Sequence, residues 1–124
     1  MGYLWVFIGG GLGSMARYGL SVLGMRTLGP DFPWATLLIN IVGSACMGVL
    51  TGWLAVHGNA PQGVRLFVAT GVLGGFTTFS TFSLESVVLY QRGQPGLALA
   101  YVLASVAVGI GALVIAMRIA RGMG

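Results

Sequence analysis

From Pro33 to Val56 the chain carries no charged residue. Three further stretches come close to that condition. Gly2 to about Leu23 contains Arg17, Val64 to Tyr90 has Glu85 near its end, and Pro95 to Met117 is free of charge. Each is near the ~20 residues that a helix needs to cross a hydrocarbon layer of ~30 Å. A domain of 124 residues has too much surface to hide this material from water. Charged residues make up 6% of the chain, against about 25% in soluble domains. Lipid is therefore the expected solvent. The expected fold is an all-α integral membrane domain of four spans, over residues 2–23, 33–56, 64–90 and 95–117.

Glycine is the second constraint, at 22 of 124 residues. Within apolar runs, glycines at this density point to helices whose backbones approach closely. The net charge of +4 comes from six arginines and no lysine, scattered without a patch or stripe. That pattern is not the footprint of nucleic-acid binding. A single cysteine, Cys46, excludes an internal disulfide and a cysteine-based metal cluster; its small and apolar flanks suggest a packing residue. The N-terminus lacks a basic leader region, so the first segment is expected to remain in the mature protein.

The connectors hold the breakers and most of the charge: Arg26 to Asp31, His57 to Gly63, and Arg92 to Pro95, with Arg118 and Arg121 after the last span. Trp34 and Trp53 stand 19 residues apart, a rise of roughly 28 Å that puts an indole at each interface. With four spans, one side carries Arg65, Arg118 and Arg121, and the other Arg26 and Arg92 beside Asp31. Three against two gives the positive-inside rule almost nothing to act on. Either the chain inserts in both orientations, the simplest consequence, or details outside the charge count set its topology. The two halves show no convincing similarity, so an antiparallel homodimer would supply the inverted symmetry that larger transporters carry within one chain.

The chemistry concentrates in Gly74-Gly75-Phe76-Thr77-Thr78-Phe79-Ser80-Thr81-Phe82-Ser83. Two glycines followed by a cluster of hydroxyl residues make a poor continuous helix. At membrane depth an irregular backbone survives only inside protein or beside a polar cavity, and its freed carbonyls can coordinate a cation. Phe79, Phe82 and Ser83 fall on one helical face. Ring edges are electropositive, so this face either lines an anion path or packs against other helices. Asn40 is the only amide of the second stretch, with Ser44 one turn on and Gly48 and Gly52 beyond. Its NH₂ can donate to an anion or to a neighbouring helix. Tyr101, Ser105 and Gly109 repeat every four residues in the last stretch, a weak polar stripe. Arg17 and Glu85 are the charges set within spans. Such charges face a protein interior or wet vestibule, or snorkel to the interface.

Two motifs carry no weight. Gly11 to Ala16 fits a dinucleotide-binding pattern, but it sits inside an apolar span with no strand before it. His57 has no acidic or cysteine neighbour with which to hold a metal.

With these residues in view, the chain resembles the Fluc (CrcB) fluoride channel family over essentially its whole length. Gly9 to Tyr18 is similar to the family's glycine-rich run ending in Arg-Tyr, Thr36 to Ser44 to its Asn-x-x-Gly-Ser pattern, and Gly74 to Ser83 to its long third-span motif. Ser14 stands where the family often has alanine, and Gly109 where a third hydroxyl can occur. The resemblance implies a dual-topology antiparallel homodimer with two parallel fluoride pores in the bacterial inner membrane. By position, Asn40, Phe79, Phe82 and Ser83 would line the fluoride path, and Tyr101 and Ser105 would continue it. Gly74 and Thr77 would give backbone carbonyls to a structural sodium ion at the dimer centre. Arg17 would lie near a vestibule and Glu85 beside the pore.

The function expected on these grounds is passive fluoride export. The main rival is a small multidrug transporter of four spans and weak charge bias. Proton-coupled drug exchange, however, needs a carboxylate deep in a cavity, and the first span has none. A helper subunit would not need the polar break. An enzyme is not expected, because the sequence offers no nucleophile–base pair and no metal cluster.

Overall fold

The computed structural model describes residues 1–58 and 60–122; Asn59, in the second connector, lies outside the described residues. The described chain is helical, without strands. Helix α1 covers Gly2–Leu28 and α2 covers Trp34–His57. The third passage comes in pieces: α3 (Gln62–Arg65), a π-helical stretch (Leu66–Leu73), α4 (Gly74–Phe76) and, after two extended residues, α5 (Phe79–Gln91). Helix α6 covers Pro95–Gly122.

Two helices outrun the apolar stretches that signalled them. Helix α1 continues past Leu23 because nothing before Gly29 forbids it. The Thr27 hydroxyl donates to the Leu23 carbonyl at 2.8 Å, and Arg26 sits in the last turn, where a cation suits the helix dipole. Gly29 then ends it at φ 81°, a conformation that only glycine adopts cheaply. Helix α6 likewise runs through Arg118 and Arg121. The connectors are correspondingly shorter than the sequence suggests.

Among the described residues, three helical passages can cross a membrane by length and composition: Trp34–His57, Gln62–Gln91 and Pro95–Gly122. Helix α1 is long enough, at about 40 Å, but its glycines and Arg17 make it less apolar than the other three. Large apolar side chains stand exposed along α1 and α6, among them Phe7, Leu12, Met15, Leu103, Ile110 and Ile115. Few are enclosed: the buried core cluster is Leu37, Leu89 and Tyr101, with Phe32 and Phe82 packed against it. A surface this apolar is stable only against lipid or protein.

Glycine sets how closely the helices meet. A Cβ on Gly9 would run into the Phe67 carbonyl, and one on Gly13 into the Val72 carbonyl. From the other side, Gly71 and Gly75 press on Gly9 and Gly10. Glycines four residues apart on each partner thus bring α1 against the π-helical stretch and α4, backbone to backbone. Gly48 and Gly52 do the same between α2 and the Leu113 and Met117 carbonyls of α6.

The break in the third passage falls at Thr77 and Thr78, not at the glycine pair. Both threonines are extended, with φ −86°, ψ 158° and φ −150°, ψ 122°. Gly74 and Gly75 stay helical; Gly75 is held against Gly10, and the Gly74 amide donates to the Ala69 carbonyl five residues back, the wider π pattern. Thr77 closes the last turn before the break, its amide and its hydroxyl both donating to the Leu73 carbonyl, and Thr78 opens the next helix, its hydroxyl accepting from the Thr81 amide as the N-cap of α5.

Candidate functional site

A helix break inside a membrane leaves backbone groups without partners, and here the Thr78 groups and the Gly75 carbonyl find theirs on other helices. Asn40, on α2, meets both backbone groups of Thr78. Its Oδ1 accepts from the Thr78 amide at 2.9 Å and its Nδ2 donates to the Thr78 carbonyl at 3.0 Å. One asparagine thus replaces the two hydrogen bonds that a continuous helix would have made there. On the opposite side, the Gly75 carbonyl accepts from Arg17 Nε at 3.1 Å and from the Ser14 hydroxyl at 3.4 Å. Arg17, a vestibule candidate by sequence, is engaged at the break by its Nε.

Beside the break opens a groove of about 340 Å³. Its lining includes Asn40, Ser44, Gly74, Thr77, Thr78, Phe79, Phe82 and Ser105. Three elements far apart in the sequence therefore bring most of the candidate residues to one place. The Phe79 and Phe82 rings border it with centroids 5.7 Å apart, inclined at 52°. Phe79 is 78% exposed, unusual for a phenylalanine at the centre of a polar motif. Ser105 Oγ is buried without a hydrogen-bond partner among the described residues. Such a group ordinarily costs stability, and its persistence marks a functional candidate.

Other candidates lie apart from the groove. The Ser83 hydroxyl donates to the Phe79 carbonyl at 2.9 Å, and Ser83 does not border the groove. Tyr101 is wholly enclosed at 0% exposure, in contact with Phe82 and Phe32 at ring separations of 5.3 and 5.4 Å. Its hydroxyl donates to Glu85 Oε1 at 3.3 Å. Glu85 borders a second cavity of about 280 Å³, with Thr36, Thr81 and Arg92 in its wall. The Tyr101–Ser105–Gly109 stripe is thus divided: Tyr101 joins the core, Ser105 the groove, and Gly109 lies buried beside Ser44.

Of the remaining candidates, Cys46 is an exposed thiol within this chain. His57 stacks on Trp53 at 4.4 Å and bonds the Trp53 carbonyl, the behaviour of an interfacial aromatic pair. Among the described residues, no group of His, Cys, Asp or Glu could hold a metal ion. The dinucleotide-like motif lies in the middle of α1.

Sequence reasoning did not single out Thr78 and Ser14 as site residues. A threonine before an apolar helical run is an N-cap signal that could have found Thr78. Ser14 gave no signal beyond its position one turn before Arg17.

The chain matches the family described as CrcB-like protein, Camphor Resistance (CrcB), over residues 4–117. It is 52% identical to the fluoride-specific ion channel FluC of Beijerinckia indica, over 97% of this chain and 96% of that one. It is 51% identical to the protein of the same name from a Methylobacterium species, over 96% and 95%. The corresponding protein of Rhodopseudomonas palustris is 49% identical over 99% of both chains. Matched by the family model over residues 4–117 and by these relatives over nearly its whole length, the chain belongs to the CrcB-like family.

Proposed function

We propose that this chain is a fluoride-selective channel through which fluoride leaves the bacterial cytoplasm passively, and that it works in the inner membrane as an antiparallel homodimer. The observation that carries the reading is the convergence of Asn40, Phe79, Phe82 and Ser105 on one groove beside a severed helix. The names of its close relatives support the same ion. Fluoride is small and strongly hydrated, so a selective path must replace its water with close donors. An amide NH₂, a free hydroxyl and two electropositive ring edges do so without a fixed cation that would hold the ion too long. No step requires a nucleophile or a proton donor, so the protein is not an enzyme.

The dimer rests on two features of the single chain. Phe79 and Gly74 are exposed at the groove, where a buried polar site would need a cover. The near-equal arginine count allows the partner to insert upside down. Four spans per chain, with α1 as the first, complete the dual topology.

A structural sodium ion fits the donor set. Hard cations take oxygen ligands. The Thr77 amide still bonds the Leu73 carbonyl, but its ψ of 158° turns its own carbonyl out of the helical direction. Gly74 borders the same groove, and the nearest atom to a Cβ placed on it is 3.7 Å away. Two such carbonyls from each copy would give four oxygens on the two-fold axis.

The multidrug reading needs a carboxylate in the groove. Glu85 is instead bonded to Tyr101 and borders the other cavity.

The test is efflux from liposomes holding the purified protein. Fluoride should leave and chloride should stay, and prolonged replacement of sodium by a large organic cation should silence the flux. Equal fluoride and chloride efflux would overturn the channel assignment. Flux indifferent to long sodium removal would overturn the cation.

A further inference from the structure

The geometry points to Arg17 as a positioning residue for the helix break, acting through the directed hydrogen bond of its guanidinium Nε–H and not through its charge at a distance. The half-helix that ends at Phe76 has lost its continuation, so its last carbonyls have no helical amide to bond. In a continuous helix the Gly75 carbonyl would accept from the amide of Phe79, but Phe79 begins a new helix beyond two extended residues. Its replacement donors come from another element. Arg17 Nε and the Ser14 hydroxyl, one turn apart on α1, both donate to it. They can reach it because Gly75 lies directly against Gly10, where any side chain would collide with backbone.

The consequence lies on the other face of the same turn. Gly74 and Thr77 border the groove, while the Gly75 carbonyl is bonded on the α1 side. Holding Gly75 fixes the rotation of the last helical turn and so fixes where the neighbouring carbonyls aim. The clamp on Thr78 from Asn40 fixes the far side of the break. The two clamps hold the severed ends independently: one from α2, one from α1.

A vestibule role would depend on charge and would survive as lysine. A clamp depends on a donor at the right bond distance. Glutamine carries Nε2 as many bonds from Cα as arginine carries Nε, with no charge; methionine matches the length with no donor. Arg17→Gln, Arg17→Met and Arg17→Lys should therefore be compared in the full-length protein, with size-exclusion elution confirming assembly. Fluoride efflux should be roughly tenfold faster for Gln than for Met, a ratio of the size that one lost hydrogen bond produces. Gln and Met falling together, with Lys retaining flux, would overturn the clamp in favour of charge. Both staying at the wild-type rate would overturn it as well.

A second readout rests on the reading of Gly74 and Thr77 as sodium ligands: the sodium concentration that half-protects each variant against heat in detergent. Met should need about tenfold more sodium than Gln. If wild-type melting ignores sodium, that cation reading fails, and the efflux order still decides the role of Arg17.

Discussion

Asn40 holds Thr78 by both of its backbone groups, accepting from the amide at 2.9 Å and donating to the carbonyl at 3.0 Å across 38 residues of sequence. The same side chain borders the groove. The second hydrogen of its NH₂ is therefore the one left for an anion. A residue that ties down the break and offers a donor to the ion couples the architecture of the site to its chemistry.

Asn40→Asp should separate those duties. The carboxylate can still accept from the Thr78 amide, but it cannot donate to the carbonyl and it repels an anion. Fluoride efflux should fall below detection. Asn40→Ala should lower thermal stability in detergent by about 1–3 kcal/mol for each Thr78 group left unpaired. Flux from the Asp variant at the wild-type rate would remove Asn40 from the path.

The two phenylalanines should behave differently when changed to isoleucine. Both changes remove a ring edge from the groove, so both should abolish most fluoride efflux. Phe82 also packs on Tyr101, so Phe82→Ile should lower the melting temperature, while exposed Phe79 should cost the isolated chain little. Efflux at the wild-type rate in both variants would make the rings packing residues.

Ser105→Ala should trade function for stability. Its hydroxyl is buried and unpartnered among the described residues, so removing it relieves a desolvated polar group and should stabilise by about 1 kcal/mol. Flux should nonetheless drop, because a donor leaves the groove. A destabilised variant would mean that Ser105 has a partner in the assembled protein.

Gly13→Ala should be the most damaging of the small changes in α1. Its Cβ would meet the Val72 carbonyl and the Phe76 amide, both backbone. Overpacking of this kind costs about 1–3 kcal/mol. Gly11→Ala, two residues away with open space around it, should be neutral or mildly stabilising. Melting of the two variants side by side checks the claim.

Reporter fusions at the C-terminus should report both orientations, since a four-span chain would set three arginines against two across the membrane. Adding two arginines to one set of loops should fix the orientation and reduce fluoride flux. Full activity from a chain held in one orientation would exclude the antiparallel dimer.

What the sequence by itself determined is what depends on neighbours along the chain. A charge-free run such as Pro33 to Val56 can be satisfied only as a helix in lipid, because each backbone group must bond within its own segment. Gly74-Gly75 followed by hydroxyl residues marked a weak point in the third helix for the same local reason. Tertiary structure decided where that helix parted, and why. The glycines stay helical because Gly10 is pressed against Gly75, and the chain opens at Thr78 because Asn40 stands there to bond it. It also sorted hydroxyls that periodicity had treated alike: Tyr101 went to the core and to Glu85, Ser83 to a carbonyl of its own helix, and Ser105 alone to the groove. Spacing along one helix says which residues share a face. Which helix covers that face is set by packing between residues tens of positions apart, and here glycine contacts on α1, α2 and α6 made that choice.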